Sequence, residues 1–171
     1  MKKIILFNIV FFSVICLSFS NDLAKVESPI PAQDSIIGYF QLEKLNTPPF
    51  KYWFEHEYET YTVDSETLLQ IDEGKISTIT ITIVIGTWCS DSQRETPRFI
   101  KILNEIDFDF EKITAIGVNK KKKAAETTID ELSIEYVPTI IFYNDGEEIG
   151  RIIETPEESL EKDMLRIISS Q

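Results

Sequence analysis

The clearest alternation of hydrophobic and polar residues lies between residues 79 and 85, where threonines separate isoleucines. This period of two predicts a β-strand. Residues 113–118 form a second apolar run and predict another strand. Two further runs, at 140–143 and 149–153, flank the Asp-Gly pair at 145–146 and predict a β-hairpin.

Three helices are predicted among and after these strands. Residues 90–106 predict one whose buried face carries Phe99, Ile102, Leu103 and Ile106. Residues 127–134 predict a second helix. A capping box at 155–158, with proline at the first helical position, predicts a last helix over 156–168. This order of elements indicates an α/β fold in which a parallel βαβ unit joins an antiparallel hairpin, with helices on both faces of one sheet.

A helical extension is predicted before the first long strand. The proline pair at 48–49 is predicted to start a helix whose aromatic residues share one broad face, namely Phe50, Trp53, Phe54, Tyr58 and Tyr61. Glu57 falls in the middle of that face, so it either breaks the helix locally or directs its carboxylate at a partner. We favour packing of the aromatic face on the sheet, with Glu57 at its edge. Asp64 is predicted to cap a short helix that reaches Ile71 and is stopped by Gly74.

Residues 1–20 have the composition of a secretory signal peptide. Two lysines precede an apolar stretch at 4–17, which is too short for a spanning helix, and residues 18–20 provide small residues for cleavage after position 20. We therefore predict an exported protein, located in a bacterial periplasm. Cys16 leaves lipid modification and membrane anchoring open as an alternative, although Ile15 stands where that processing normally requires a small residue.

The remainder of the chain is predicted to form an arm and one domain. Residues 21–41 contain Pro29, Pro31 and Gly38 among scattered polar residues, which indicates a flexible N-terminal arm. Residues 42–171 predict a single domain with its core at about 60–170, since 171 residues with 43% hydrophobic content suffice for one core.

The chain is acidic, with a net charge of −12 at pH 7 that becomes −14 if residues 1–20 and their two lysines are removed. Such a charge argues against a nucleic acid or an anionic membrane as a partner. Membrane association is therefore expected only through lipidation at Cys16.

Cys89 is the single cysteine left after the predicted cleavage, so the mature chain cannot form an internal disulfide. An unpaired thiol in an oxidising compartment indicates a reactive residue. Cys89 lies between the predicted strand at 79–85 and the predicted helix at 90–106, and a helix N-terminus favours the thiolate. Asp91 and Glu95 add negative charge that opposes the thiolate.

Four motifs occur in the C-terminal hundred residues. Trp-Cys-Ser-Asp-Ser at 88–92 has a serine where a two-cysteine redox motif has its second sulfur. Pro97, Val-Pro-Thr at 137–139 and Asn-Asp-Gly-Glu at 144–147 follow. In this order and spacing they resemble the active-site motif, helix kink, cis-proline loop and hairpin turn of the thioredoxin superfamily.

A narrower resemblance rests on residues 86–92 and 150–156, which look like those of exported bacterial thioredoxin-like proteins with a one-cysteine Trp-Cys-x-x-Ser site. The superfamily resemblance implies a thioredoxin-like α/β fold, a central mixed sheet flanked by helices. In this chain an N-terminal helical extension would precede it.

The resemblance implies catalysis by Cys89 and Ser92, in a substrate groove formed by Trp88, Asp91, Val137 and Pro138. With Ser92 in place of a second thiol, a mixed disulfide on Cys89 persists until an outside thiol or a substrate cysteine resolves it. This permits thiol–disulfide reduction or isomerisation by a monothiol mechanism. The expected partners are protein thiols or disulfides, or a small thiol reductant. The Ser92 hydroxyl could donate a hydrogen bond to the thiolate.

A second hypothesis remains open. In this hypothesis Ser92 only caps or solvates the start of the helix, and the redox function is lost. The chain would then be a redox-inert thioredoxin-fold module that binds a peptide or protein partner. Partner binding that survives replacement of Cys89 would distinguish this hypothesis from catalysis.

Other residue types change this interpretation little. His56 is the only histidine and is expected on the surface, so no metal site and no cofactor are predicted. The resemblance implies a buried aspartate at the position of Ile83, and its absence removes that proton relay. The lysines at 120–123 most simply form a solvated loop, with docking of an acidic partner as the alternative.

Overall fold

A mixed five-stranded sheet forms the centre of the molecule in a computed structural model that describes residues 35–170. Its strands are Gly38–Tyr39 (β1), Ile79–Ile85 (β2), Ile113–Gly117 (β3), Thr139–Asn144 (β4) and Glu147–Ile153 (β5). The strand order is β1-β3-β2-β4-β5, with β2 and β3 parallel and the other pairs antiparallel. The prediction of a mixed sheet flanked by helices is confirmed, but the prediction of helices on both faces is wrong, because turns between residues 119 and 138 cover the second face. The predicted signal peptide and most of the predicted arm lie outside the described residues.

Five α-helices accompany the sheet in residues 35–170: Lys51–Thr60 (α1), Ser65–Leu68 (α2), Glu73–Ile76 (α3), Ser90–Glu105 (α4) and Leu160–Ser169 (α5). Short 3₁₀ helices occupy Leu42–Asn46 and Phe110–Lys112. The helical extension before the first long strand is therefore present, and α4 agrees with its predicted bounds.

The alternation along β2 separates two buried clusters, because successive side chains of a strand point to opposite faces. The isoleucines at 79, 81, 83 and 85 join the larger cluster, which also holds the apolar faces of α4 and α5. Val84 joins the smaller cluster together with Ile116, Val118, Ala124, Ile129 and Val137. Trp88 and Cys89 pack against this second cluster, so the predicted site lies at its edge.

Phe142 provides a test of the larger cluster. Its ring is fully buried and meets the ring of Phe99 edge to face, with centroids 5.9 Å apart. We expect Phe142→Ala to lower the free energy of unfolding by about 3–5 kcal/mol. The variant loses the free energy of burying the ring, and it also leaves a cavity that the surrounding side chains fill only in part. Tyr52→Ala is the control, since Tyr52 is 79% exposed and should change stability by no more than about 0.5 kcal/mol. Urea titration measures both, and equal effects would contradict this account of the core.

The end of the predicted flexible arm is part of the sheet, which corrects the arm boundary of 21–41. Gly38 and Tyr39 pair with β3, and Ile36 is buried in the larger cluster. A β-carbon on Gly117 would lie 2.4 Å from the carbonyl oxygen of Ile36, so only glycine permits this close approach. The signal that the sequence reading missed is this glycine in an apolar strand, which is typical of a site where another backbone approaches.

The predicted helix at 127–134 is wrong, because residues 119–138 cover the second face of the sheet as a series of turns. Thr127 accepts a hydrogen bond from the N–H of Ile129 and donates one to the carbonyl of Ala124. Such local side-chain bonds compete with a helix. Glu126 and Ser133 have positive φ angles, which a right-handed helix does not accommodate.

Three other helix boundaries differ from prediction. The last helix begins after Ser159, whose side chain accepts the N–H of Lys162, and the capping box at 155–158 is not helical. The buried Asp163 carboxylate instead accepts the N–H of Glu157. Asp64 caps α2 as predicted, but that helix ends at Leu68. Gly74, predicted as a stop, lies inside α3, which is capped by the Asp72 side chain.

The aromatic helix α1 packs on α4 rather than on the sheet, which corrects the favoured prediction. It begins at Lys51, after the proline pair. Glu57 accepts hydrogen bonds from the Arg98 guanidinium of α4, at 2.6 and 2.9 Å, so its carboxylate is directed at a partner. This ion pair ties the extension to the helix that starts at Cys89.

Candidate functional site

The candidate site lies where the parallel strands β2 and β3 end. Both carboxyl ends are at the same edge of the sheet, where ligand sites of open α/β sheets commonly form. The loop after β2 carries Cys89 and leads into α4, and the loop after β3 carries the lysines at 120–123. The segment before β4, which contains Val137 and Pro138, meets this edge from the other side of β2.

Cys89 is the N-cap residue of α4, a helix of 16 residues. It is the free cysteine of the described part of the chain, and its side chain is partly exposed. The Sγ atom donates a hydrogen bond to the Val137 carbonyl oxygen, over 3.2 Å. The peptide bond between Val137 and Pro138 is cis. The thiol is thus hydrogen-bonded to the backbone of this loop, and the residue that carries it is partly exposed.

Ser92 is fully buried one turn into α4, and its hydroxyl oxygen accepts a hydrogen bond from the N–H of Gly86, over 3.2 Å. Gln93 donates from its amide to the Thr87 carbonyl, over 2.8 Å, and the N–H of Cys89 donates to the Gly86 carbonyl, over 2.8 Å. The loop before Cys89 is therefore tied to the first turn of the helix. Ser92 has a positioning contact in this arrangement, and its hydroxyl proton remains available for a second partner.

Trp88 forms a wall of the site rather than part of the interior. Its indole N–H donates to the Val118 carbonyl, over 2.9 Å, and this links the loops that follow β2 and β3. The Thr87 hydroxyl accepts the N–H of Ile36, over 3.3 Å, so the end of the arm also supports the loop. Sequence reasoning missed Thr87 and Gln93, because their roles depend on contacts with backbone atoms that no motif encodes.

Gly86 tests how closely this loop must be packed. A β-carbon there would lie 2.7 and 2.8 Å from two ring carbons of Trp88, so Gly86→Ala must displace the indole. We expect the disulfide reactivity of Cys89 to fall about tenfold or more, because a displacement of about 1 Å near a reacting group can cost up to a hundredfold.

The matched control for this change is Gly74→Ala, which lies outside the loop that carries Cys89 and meets only the Asp72 carboxylate that caps α3, at 3.1 Å. Rates with a small disulfide and melting temperatures measure both variants. An unchanged rate in a folded Gly86→Ala protein would contradict the importance of the Trp88 position.

The carboxylates predicted to oppose the thiolate are both paired with Arg94. Its guanidinium lies 2.8 Å from the Asp91 carboxylate and 2.6 Å from that of Glu95. The hydrogen bond to Glu95 is the main cause of a raised pKa of Arg94, against the opposing effect of its partial burial. The Glu95 side chain is 6% exposed and also lies 3.8 Å from Arg98. The Asp91 carboxylate near Cys89 is therefore paired with a guanidinium and is not a free negative charge.

A polar cluster missed at the sequence level holds the extension against α4 and α5. Tyr61 donates to both carboxylate oxygens of Glu161, at 2.9 and 3.0 Å, and the N–H of Asp64 donates to the same carboxylate. Burial, followed by the hydrogen bond to Glu161, raises the pKa of Tyr61 well above its usual value. The Arg98 guanidinium lies over the Tyr61 ring, 5.4 Å from its centroid. Glu57 within an aromatic face was the one sequence signal for this cluster.

The structure brings most of the predicted site residues together. Cys89 contacts Val137, and Ser92 lies beneath the loop that carries Trp88. Asp91 is turned to Arg94, and Pro138 follows Val137 in the cis loop. Ile83 is fully buried in the larger apolar cluster. Within residues 35–170, no group of three or more His, Cys, Asp or Glu side chains could hold a metal ion.

No helix among residues 35–170 is both long and apolar enough to cross a membrane.

Comparisons with known proteins address the fold. A family model described as Thioredoxin matches residues 73–166, from α3 into α5. No curated protein matches the chain. Among solved structures, oxidised thioredoxin O2 from Arabidopsis thaliana is 17% identical, with 62% of this chain and 84% of that chain covered and a TM-score of 0.37. A Pseudomonas aeruginosa protein of unknown function is 13% identical, with 70% and 81% covered and a TM-score of 0.44.

Proposed function

Because this chain belongs to the thioredoxin family, we propose that it is a thiol–disulfide oxidoreductase or isomerase that uses Cys89 as its sole nucleophile. The observation that carries this proposal is the position of the thiol. Cys89 caps a 16-residue helix, is partly exposed, and has its sulfur 3.2 Å from the carbonyl of Val137. Free N–H groups at a helix start attract negative charge, so this position suits a reacting thiolate.

The first step is attack by the Cys89 thiolate on one sulfur of a substrate disulfide. A new S–S bond forms to Cys89, the substrate S–S bond breaks, and the other substrate sulfur leaves as a thiolate that takes a proton from water. The proton that the Cys89 thiol now shares with the Val137 carbonyl is lost to solvent before attack, because a carbonyl oxygen accepts a hydrogen bond without acting as a base at neutral pH.

Ser92 determines the second step. Its side chain is buried and carries a hydroxyl, so no neighbouring thiol attacks the mixed disulfide. An outside thiol attacks the sulfur of Cys89 and releases the reduced substrate, and a second outside thiol then attacks the outside sulfur of the new mixed disulfide, which frees Cys89 and leaves the two outside thiols joined in a disulfide. Alternatively, a second substrate cysteine attacks the substrate sulfur, which frees Cys89 and leaves a rearranged substrate disulfide. Both routes regenerate the Cys89 thiolate; the first takes its two electrons from the two outside thiols, and the second needs no net electrons.

The substrate groove is proposed to run between Trp88 and the loop of Val137 and Pro138. Trp88 directly precedes Cys89, and the Val137 carbonyl accepts the hydrogen bond of the thiol, so both elements lie beside the reacting sulfur. The proposed substrate segment is extended and binds along the backbone of this loop. Asp91 lies at the helix start beside this groove, paired with Arg94.

Export to a bacterial periplasm is part of the proposal and rests on the sequence at 1–20, with lipid anchoring at Cys16 as the alternative. Cell fractionation combined with the N-terminal mass of the purified chain separates the two. A chain that keeps residues 1–20 and stays in the cytosol would contradict export.

One observation favours a second candidate, a redox-inert module that binds a peptide or protein. Ser92 already has a structural partner in Gly86 and needs no catalytic role. This candidate predicts that a partner retained by the wild-type chain is retained equally well by Cys89→Ser. Catalysis through mixed disulfides predicts that covalent retention is lost in that variant.

The lifetime of the mixed disulfide tests the monothiol mechanism. The full chain carrying Cys16→Ser is mixed with a neutral disulfide, bis(2-hydroxyethyl) disulfide, and followed by intact mass. We expect a one-to-one adduct that persists until an outside thiol is added. If no adduct forms on the folded chain, the redox proposal is wrong, and if the adduct disappears without added thiol, the monothiol mechanism is wrong.

A further inference from the structure

We propose that residues 119–123, here named the lysine loop, dock an acidic segment beside the reacting cysteine of a polypeptide substrate. The inference rests on the proposed function of Cys89 and adds a substrate class to it. Four consecutive lysines stand here in a chain whose net charge is −12. The lysine loop is positively charged, whereas the rest of the chain is acidic. Charge complementarity therefore identifies an acidic segment as the occupant.

The fold places the lysine loop next to Cys89. The loop is bounded by Val118 and Ala124, and both belong to the cluster against which Trp88 and Cys89 pack. The indole N–H of Trp88 donates to the Val118 carbonyl, two residues before the first lysine. Since β2 and β3 are parallel, the loops that follow them leave the same edge of the sheet. A polypeptide whose sulfur reaches Cys89 therefore passes close to these lysines.

Asn119 gives the lysine loop a defined shape. Its side-chain oxygen accepts the N–H groups of Lys121 and Lys123, over 2.8 and 3.2 Å, and its carbonyl accepts the N–H of Lys122, over 2.8 Å. Its own N–H donates to the Lys123 carbonyl, over 3.1 Å. The backbone polar groups are thus used within the turn, and the lysine side chains are presented outward. A preformed loop binds with less loss of conformational entropy than a disordered one.

Three of the four lysines are available to a partner. Lys123 is paired with Asp130, whereas Lys120, Lys121 and Lys122 have no ion pair within residues 35–170. Lys120 and Lys121 are exposed. The acidic residues of the same segment follow only from Glu126 onward. At physiological salt, charges interact over about 8 Å. Asp130 pairs with Lys123, so in the part of the chain that the structure describes Lys120, Lys121 and Lys122 remain as the unpaired positive charges that face a docked segment.

Docking raises the local concentration of the substrate disulfide at Cys89 and leaves the chemical step already described unchanged. The acidic segment binds the lysine loop, the Cys89 thiolate attacks the adjacent disulfide sulfur, and the other sulfur of that disulfide leaves as a thiolate and is protonated by water. Charges near the rim of a site act mainly on the rate of association, which falls as salt is added.

Two synthetic peptides test the proposal. Each has one cysteine in a disulfide with 2-mercaptoethanol, flanked by three glutamates in one peptide and by three glutamines in the other. With the full chain carrying Cys16→Ser, at low salt, we expect the glutamate peptide to react about tenfold faster, since electrostatic steering raises association rates by ten- to a thousandfold. Added salt should remove most of this preference.

Matched triple variants locate the effect. Replacing Lys120, Lys121 and Lys122 by glutamine should reduce the preference to about twofold or less. Replacing Lys44, Lys51 and Lys162 by glutamine changes the net charge equally at positions outside the site and should leave the preference intact.

Equal rates for the two peptides, or an equal loss of preference in both triple variants, would overturn docking at the lysine loop. Bis(2-hydroxyethyl) disulfide separates this failure from that of the proposed function. If it still forms an adduct with Cys89, only the docking inference is overturned. If it does not react, the proposed function and the docking inference are both overturned.

Discussion

Replacement of Cys89 by serine is expected to abolish the reaction of the chain with disulfides. The rate should fall at least about a thousandfold, because a serine hydroxyl is almost entirely protonated at neutral pH and cannot form an S–S bond. The fold should remain intact, since Cys89 is partly exposed and its sulfur makes a single hydrogen bond, to Val137. Adduct formation by intact mass and the melting temperature measure the two effects.

Cys16→Ser is the matched control for this variant, because it removes a cysteine outside the predicted domain and should keep the full rate. A Cys89→Ser chain that still reacts with disulfides at the rate of this control would show that the activity resides elsewhere.

Ser92→Cys is expected to change the mechanism from one thiol to two. Cys89 is the N-cap of α4 and residue 92 is the third helical position, and these two positions are close enough for an N-cap side chain to reach the N–H of the third residue. An internal disulfide should therefore form after attack and release the substrate without an outside thiol. We expect resolution of the mixed disulfide about a hundredfold faster than by a millimolar outside thiol, because intramolecular thiols act at high effective concentration.

Ser90→Cys is the control, since it adds a thiol next to Cys89 at an exposed position where a bridge between neighbours is strained. The assay is reduction of a protein disulfide, with the lifetime of the mixed disulfide measured by mass. An unresolved adduct in a folded Ser92→Cys chain would contradict the placement of residue 92 as the missing second sulfur.

The sequence predicted the central strands and α4 because their signals are local. The alternation at 79–85 defines a strand whose isoleucines form one fully buried face, and apolar spacing defines α4 from Ser90 onward. Cys89 at the start of α4, together with the segment at Val137 and Pro138, could likewise be predicted from the order of motifs. The structure adds the 3.2 Å contact between the Cys89 sulfur and the Val137 carbonyl, which joins residues far apart in sequence.

Two of the helix errors arise because hydrogen bonds from side chains to nearby backbone groups are not encoded in the pattern of hydrophobic residues. The segment at 127–134 has helical composition, but bonds from Thr127 to nearby backbone groups and positive φ angles select turns. The last helix begins at Leu160, after its N-cap Ser159, and the Asp163 carboxylate accepts the Glu157 N–H in the preceding bend. The sequence offers two possible caps, and the structure uses Ser159.

The partners of charged residues were the least predictable part of the site. Glu95 and Asp91 are acidic residues near a thiol in the sequence, and only the helix geometry shows that Arg94 lies within 2.8 Å of both. Glu57 was recognised as misplaced in an aromatic face, but its partner Arg98 is 41 residues away. Long-range pairs of this kind follow from the packing of α1 on α4, which the pattern of α1 alone did not specify.

The rate of disulfide exchange at Cys89 tests the central claim most directly. The full chain carrying Cys16→Ser and a free peptide of residues 86–93 are each treated with bis(2-hydroxyethyl) disulfide from pH 4 to 10. We predict that the folded chain reacts faster than the peptide, because the N–H groups at the start of α4 stabilise negative charge near the attacking sulfur. A folded chain that reacts no faster than the peptide at any pH would contradict the assignment of Cys89 as a catalytic nucleophile.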